Sequence, residues 1–571
     1  MTTNPDQRGI VSENVALTVI LLLAVWHLLA YARVMLPSSL WVDEIISIRD
    51  FSGPGLLASL TLYPEPNNHI FFNALRSLLP FADTFDPVPA RLFSFFCVLG
   101  GMGLLLHLGW REKQLIAATL LVFLLALSDS LLGTLWQVRG YGLQFFLFCL
   151  ALWSLLAHAR NPRTGYQIIF GICAVLSVWT ATSALLFWLP FFPVLLIGER
   201  KKSWLLLLAG IVLISLLLHL PVLRDFIRVY LHYGEDHGKF FEGWNGLRLV
   251  AAQWFSVASG WLLLGLLATA PGLVYWSLKG TQNESATALR YTLYGLIGIA
   301  GSLLLGWLTA TPPARVYAPF VPFLLWPLLI QLLQLARGMP RFDRWLSPTL
   351  AVAAVLLTLP SFITGKSHLP YENWKGTADW IEQFFPVDIA VHATFRPHLL
   401  ALYLDPERPL ADHFDAASFR SGQLIVVDSE VDGPRHDEDL RRYAPRSIRI
   451  PQLRHRHQTI FFVPRPLGPA LTLTPLSPAQ GFAESIRLTI PLDPAENLHV
   501  IGWDQREHTL LRQALLQSGD GPETSLPSDH LISSPPFHFL FPPPETDFII
   551  LEFDLIYAQS HRLPELFWRL P

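Results

Sequence analysis

"LTVILLLAVWHLLAYARVMLPSSLWVDEII", residues 17–46, sets a long apolar run directly before two adjacent acids, Asp43 and Glu44. A helix rises about 1.5 Å per residue and the hydrocarbon layer of a bilayer is about 30 Å thick, so roughly twenty apolar residues cross it. Leu-rich runs of this kind recur over roughly the first 365 residues. The 571-residue chain is 52% hydrophobic and 15% charged, whereas soluble domains carry about 25% charged residues. A single soluble core does not need so many such runs, so the sequence reads as a polytopic α-helical membrane protein. The net charge of −3 gives no support to a nucleic-acid partner. "AYA" at 30–32 fits a signal-peptide cleavage pattern, but the segment before the run carries only Arg8, so the run is read as a retained anchor.

Spans are expected near 15–36, 91–109, 114–133, 141–158, 166–181, 183–198, 203–222, 257–278, 289–309, 315–336 and 345–364, about eleven in all. The break near Thr182 is inferred from the shortness of its two neighbours. Lys and Arg mark cytoplasmic loops. "WREK" (110–113), "ARNPR" (159–163), "GERKK" (198–202) and "ARGMPRFDR" (336–344) are basic, whereas the alternate short loops hold only Arg139 and Arg315. That alternation puts the N-terminus inside. It puts 37–90, 223–256 and everything after 365 on the extracytoplasmic side, which in a bacterial inner membrane is the periplasm. Within 37–90, "NNHIFFNALRSLL" (67–79) has the spacing of an amphipathic helix lying in the interface. The other long loop holds "HYGEDHGKFFEGWNG" (232–246), which is polar and Gly-rich.

After 365 the composition changes. "YENWKGTADWIEQFF" (371–385) has helical spacing, "VDIAVHA" (387–393) and "GQLIVVDS" (422–429) read as buried strands, and "PHLLALYL" (397–404) between them as a helix. Strand–helix–strand order predicts a small α/β unit. From about 470, "ALTLTPL", "SIRLTIPL", "NLHVIGW" and "FIILEFDLIY" alternate, which predicts a β-sandwich-like module. The expected domains are a transmembrane catalytic domain at 1–366, an extracytoplasmic α/β domain at 367–468 and a β-rich module at 469–571. Cys97, Cys149 and Cys173 lie inside apolar runs and read as buried apolar residues.

Asp43 and Glu44 follow the first span, so both fall at the extracytoplasmic surface. The plain alternative is a pair of solvated loop charges. Against it stand Arg139 and Tyr141 in "WQVRGYGLQFF" (136–146), Arg315 and Tyr317 in "TPPARVYAPFVPF" (311–323), and Arg91 at the start of the second span. Charges at membrane depth are costly and usually face a cavity or a partner. Arginines can also snorkel to the surface, a reading that weighs equally with function for Arg91. A guanidinium suits a phosphate through bidentate bonds. "YPEPNNHIFFN" (63–73) gathers Glu65, Asn67, Asn68 and His69 in one loop, either lining a polar substrate site or making ordinary turns. His69 with Asp43 or Glu44 is a weak metal signal, so a divalent metal is not favoured and no cofactor is expected. Trp503 is a candidate sugar-stacking residue, with a packed structural tryptophan the better reading.

"WVDEIIS", the Pro/Asn/His loop, "VRGYGL" and "PARVYAPFVPFL" occur in this order and on one side of the membrane. In this the chain resembles the GT-C superfamily of polytopic glycosyltransferases. Within it, the resemblance is closest to the branch of dolichyl-phosphate-mannose protein mannosyltransferases and bacterial aminoarabinose lipid A transferases. It covers roughly residues 10–365, and "ENWKGTADWIEQ" (372–383) resembles the tail of bacterial members. "NNHIFF" stands where many members have a Pro-Leu-Tyr-Tyr type motif, which leaves the acceptor class open. The resemblance implies transfer of a sugar from a polyprenyl-phosphate donor to a lipid, glycan or protein acceptor. It implies a single inverting displacement with Asp43 as base and Glu44 positioning the acceptor or holding Asp43. Arg139, Arg315, Tyr141, Tyr317 and Arg91 then face the donor phosphate, and Glu65, Asn67, Asn68 and His69 face the sugar or acceptor. A transporter and a non-catalytic scaffold of an envelope polysaccharide pathway are the rival readings. The transporter lacks the expected internal repeat.

Overall fold

In the computed structural model the described residues are 5–64, 68–196, 201–236, 314–337 and 340–364, isolated positions between 298 and 304, and separate segments from 374 onward that carry the elements named below. The chain divides into two compact units. One holds Met1–Ser38 and Val42–His368; the other holds Ser39–Trp41 and Leu369–Pro571.

The first unit is helical. Its elements are α1 (Pro5–Met35), α2 (Val42–Ile46), a π-helical turn at Ser47–Ser52, α3 (Leu56–Thr61), α4 (Ile70–Arg76), α5 (Pro87–Arg111), α6 (Leu115–Leu127), α7 (Asp129–Leu135), α8 (Tyr141–Arg160), α9 (Thr164–Thr180), α10 (Ala184–Leu195), α11 (Lys201–His219), α12 (Leu223–Asp236), a 3₁₀ segment at Ala314–Phe320, α13 (Val321–Arg337) and α14 (Pro340–Thr364). Among the described residues five helical stretches are long and apolar enough to cross a membrane: Glu13–Met35, Pro87–Arg111, Tyr141–Arg160, Lys202–Val229 and Arg315–Leu333. The expected span at 114–133 is instead a pair, α6 and α7, bent by 85° at Ser128, and counting it as one span makes six. Ser128 starts α7 by accepting from the Leu131 amide. The weak pair at 166–198 does break at 181–183, but α9 and α10 have only 17 and 12 residues. The expected spans at 257–278 and 289–309 fall outside the described residues, isolated positions apart. The count of eleven therefore stands as an expectation, not as an observation.

Two of the basic loops meet at one end. Arg160 donates to the Arg111 carbonyl (3.0 Å) and pairs with Glu112 (3.0 Å), which joins "ARNPR" to "WREK". Chain direction puts the end of α1 and the starts of α5, α8 and α13 at the opposite end. There a layer of short helices, α2 to α4, covers the bundle. The expected interfacial helix at 67–79 is only the 7-residue α4, and it is packed inward, with Ile70, Phe72, Asn73, Ala74 and Arg76 buried. Arg76 ends it by turning back onto Ser52 Oγ and the carbonyls of Phe81 and Ala82. Phe71 stacks on Trp179 of α9, and Tyr63 and Ile70 pack with Val222.

The described residues of the second unit form α15 (Trp374–Phe384), α16 (Pro397–Ala401) and fifteen strands in three five-stranded sheets. The first has the order β2-β1-β3-β5-β4, with β1 (Val391–Ala393) parallel to β2 (Leu410–Ala411) and β3 (Leu424–Asp428), and β5 (Gln458–Phe462) antiparallel to β3 and to β4 (Ile448–Ile450). This is the α/β portion. The remaining two sheets are antiparallel throughout. One runs β11 (Thr524–Ser525), β10 (Thr509–Gln517), β14 (Phe548–Leu555), β8 (Glu484–Pro491), β7 (Thr472–Leu476). The other runs β12 (Leu531–Ser534), β13 (Phe537–Leu540), β9 (Ile501–Asp504), β15 (Trp568–Arg569), β6 (Arg465–Pro466). Because β6 pairs with β15, the chain enters the β-rich part before residue 469. Trp503 lies in β9. Alternation along β8 and β14 buries Ile486, Leu488, Ile490, Ile549, Leu551 and Phe553 in one core. Arg487, on the other parity, pairs with Glu552 (2.6 Å) and Glu523 (2.9 Å). Leu551→Ala opens a cavity in this core and lowers stability by about 2–5 kcal/mol; chemical unfolding of the full-length protein measures it.

Candidate active site

The two acids of the opening motif lie in one helical turn, α2, and point to different partners. Glu44 is fully enclosed. Its carboxylate takes a bidentate pair of bonds from Arg91, Nε to Oε1 at 2.9 Å and Nη2 to Oε2 at 2.6 Å, and a third from the Val138 amide at 2.8 Å. The remaining nitrogen of Arg91, Nη1, donates to the carbonyls of Met35 (2.7 Å) and Ser38 (2.6 Å) and to Ser38 Oγ (3.0 Å). One ion pair therefore ties together the end of α1, the turn α2, the first turn of α5 and the loop before α8. This corrects two expectations. Arg91, with no exposed surface and its guanidinium spent on Glu44 and backbone carbonyls, offers nothing to a phosphate. Glu44 does not face an acceptor; it fixes the loop that carries Arg139.

Asp43 points the other way and remains partly open, with 21% of its side chain accessible. Its Oδ2 accepts from Arg139 Nη1 at 2.7 Å and from Arg315 Nη2 at 3.0 Å. An acid and two guanidiniums, spread over 272 residues of sequence, thus meet at one oxygen. The two cations differ. Arg139 is 6% accessible and Arg315 32%. Arg139 lies over the Tyr141 ring at 5.0 Å, and its Nε donates to His69 Nε2 at 3.2 Å. That ring in turn meets the His69 imidazole edge-on at 5.1 Å.

His69 faces Arg139. Its Nε2 is an acceptor, which places the ring proton on Nδ1. Burial first, then the charges of Arg139 and Arg315, hold its pKa well below the ordinary 6.5, so the imidazole is neutral. Gly140 makes the close approach possible: a Cβ there would sit 2.8 Å from His69 Nδ1 and 2.4 Å from Thr180 Cγ2. The loop itself is held by Glu44 at Val138 and by Ser94 Oγ, which donates to the Gln137 carbonyl at 2.6 Å. Gly140 and Ser94 escape a reading of residue types, although the glycines flanking Tyr141 in "RGYG" hint at tight packing.

Asn68 makes turns. Its Nδ2 donates to the carbonyls of Ser59 (3.1 Å) and Leu62 (2.6 Å), and its Oδ1 accepts from Asn73 (2.9 Å). It is buried within its own loop rather than lining a sugar site. Glu65 and Asn67 fall outside the described residues. Tyr317 is fully buried, with its ring edge-on to that of Phe320 at 6.1 Å. Among the described residues no three His, Cys, Asp or Glu side chains form a metal-holding group.

No family model and no curated protein matches the chain. Solved structures do. ArnT from Cupriavidus metallidurans, in the apo state and bound to undecaprenyl phosphate, aligns at a TM-score of 0.47 and 13% identity, over 77% of this chain and 97% of that one. The Archaeoglobus fulgidus oligosaccharyltransferase complexed with Zn and sulfate aligns at 0.43 and 13% identity, over 73% of this chain and 69% of that one.

Removing one partner of the buried pair strands the other. Arg91→Ala therefore costs about 3–5 kcal/mol, and Glu44→Leu combined with Arg91→Leu costs less than the two single changes added; unfolding in detergent measures both. For His69 the sign follows from its depressed pKa. The unfolded chain takes up the proton first, so the native state loses stability as pH falls below about 6.5, by up to about 1.4 kcal/mol per pH unit. His69→Gln keeps an acceptor for Arg139 and does not titrate. Unfolding midpoints between pH 7 and pH 5 are expected to fall less steeply in that variant than in the wild type.

Proposed function

We propose that the protein is a membrane glycosyltransferase that moves a sugar from a polyprenyl-phosphate donor to an acceptor on the extracytoplasmic face. The observation that carries this is the meeting of Asp43, Arg139 and Arg315 at one carboxylate oxygen. A water-soluble or lipid acceptor and a lipid-borne sugar can both reach such a place. In a bacterium the membrane is the inner one and the face is periplasmic.

In this reaction the acceptor hydroxyl attacks the anomeric carbon. The new carbon–oxygen bond forms as the bond from that carbon to the phosphate oxygen breaks, the hydroxyl proton passes to Asp43, and polyprenyl phosphate leaves. Negative charge grows on the leaving phosphate, where Arg139 and Arg315 offset it in a site poor in water. Of the two acids in the motif only Asp43 stands beside these cations; Glu44 is enclosed by Arg91. One carboxylate suits a single displacement with inversion, since retention by a covalent intermediate needs a second one as nucleophile. His69 and Tyr141 keep the Arg139 guanidinium aimed.

The test is transfer from a polyprenyl-phosphate sugar by the purified protein in nanodiscs, read as release of polyprenyl phosphate. Asp43→Asn lowers the rate about 10²–10⁴-fold. Arg139→Ala and Arg315→Ala raise the KM for donor more than that for acceptor. Full activity in Asp43→Asn, with insertion and folding intact, removes Asp43 as the base.

A further inference from the structure

The two guanidiniums assigned to the donor phosphate are already engaged by a carboxylate. Both bonds fall on the same oxygen of Asp43, at 2.7 and 3.0 Å. A phosphate oxygen bound between Arg139 and Arg315 needs the positions that Asp43 Oδ2 holds. The two arrangements therefore exclude each other. The base and the phosphate site are thus tied in one cluster, and only one of them is ready at a time.

We propose that Asp43 is a built-in competitor of the donor phosphate: the phosphate displaces it from Arg315, and only then does the carboxylate turn to the acceptor hydroxyl. The proposal rests on the glycosyltransferase reading above and adds an order to it, donor before acceptor. The unequal setting of the cations says where the exchange takes place. Arg139 is nearly enclosed and is fixed by the His69 acceptor and the Tyr141 ring. Arg315 is about a third accessible and makes the longer of the two bonds. An incoming phosphate reaches Arg315 first, while Arg139 keeps its place and becomes the second phosphate contact. The fixed part of the turn is its neighbour Glu44, tied to Val138, while the Asp43 carbonyl accepts from Ser47 Oγ at 3.0 Å. The device also keeps the paired charges satisfied at membrane depth, where a lone charge is costly.

Affinity for the donor's leaving group tests this. Binding of a polyprenyl monophosphate to the full-length protein in nanodiscs is compared for wild type, Asp43→Asn, Asp43→Ala and Arg315→Ala, with melting temperature as the check on folding. Loss of the competing charge is expected to tighten binding by roughly tenfold or more in both Asp43 variants, although both are inactive, because one neighbouring charge shifts such equilibria by about one to three powers of ten. Arg315→Ala is expected to weaken it. Unchanged or weaker binding in the Asp43 variants, beside clear binding by the wild type, overturns the competition and leaves the glycosyltransferase reading standing. Absence of binding in the wild type overturns both. A second measurement needs no variant: in wild-type kinetics an obligatory order makes polyprenyl phosphate competitive against the donor and not against the acceptor, and a random-order pattern overturns the proposal.

Discussion

The pairing of Arg91 with Glu44 is the constraint on which the site depends. It brings a carboxylate and a guanidinium fully out of water, a step that is costly unless the remaining donors and acceptors are also satisfied. They are satisfied here by backbone: the carbonyls of Met35 and Ser38 on one side and the amide of Val138 on the other. The pair does more than join two side chains. It closes the first apolar helix onto the second and anchors the loop that turns Arg139 toward Asp43. The energy of that closure comes from a charge interaction in a low-dielectric setting, where geometry is strict.

Adjacent acids with opposite roles follow from the helical turn that carries them. In an extended strand Asp43 and Glu44 would point to opposite faces. In α2 they diverge by about a quarter turn or slightly more, enough for one to enter the packed interior while the other stays at the opening. The same division recurs among the cations. Arg91 is wholly interior, Arg139 is nearly so but leaned on an aromatic ring and a neutral imidazole, and Arg315 is open. From interior to opening the charges pass from fixing the backbone, through resting on neighbours, to partial exposure.

Much of the helical unit was legible because its signal is one-dimensional: long apolar runs, punctuated by Lys and Arg at one set of ends. The places where that reading fell short have physical causes. The run at 114–133 looks continuous, but Ser128 caps a new helix there, and composition does not reveal an 85° bend. The helix expected at 67–79 shows an apolar stripe, yet Arg76 is pulled inward by carbonyls that only the fold brings near. In the C-terminal unit the alternating strands, such as β8 and β14, were legible. Strand β10, "TLLRQALLQ", was not, since Leu, Arg, Gln and Ala favour helix and pairing with β14 overrides that preference. At the site, residue type singled out Asp43, Arg139 and Arg315, which the fold does bring together. It did not distinguish them from Arg91, Glu44 and Asn68, because a buried structural charge and a catalytic one are the same letter.

The distribution of these residues along the chain also has a consequence for biosynthesis. Asp43, His69, Arg91 and Arg139 all belong to the first 139 positions, whereas Arg315 comes 272 residues after Asp43. A nascent polypeptide that has emerged as far as α8 holds every element of the Glu44–Arg91 closure and one cation for Asp43. The second cation is translated last and must return across the intervening segments to find its partner. Assembly is thereby divided in time: the Glu44–Arg91 closure can form early, and the meeting of Asp43 with its second guanidinium waits for a segment 272 residues further along.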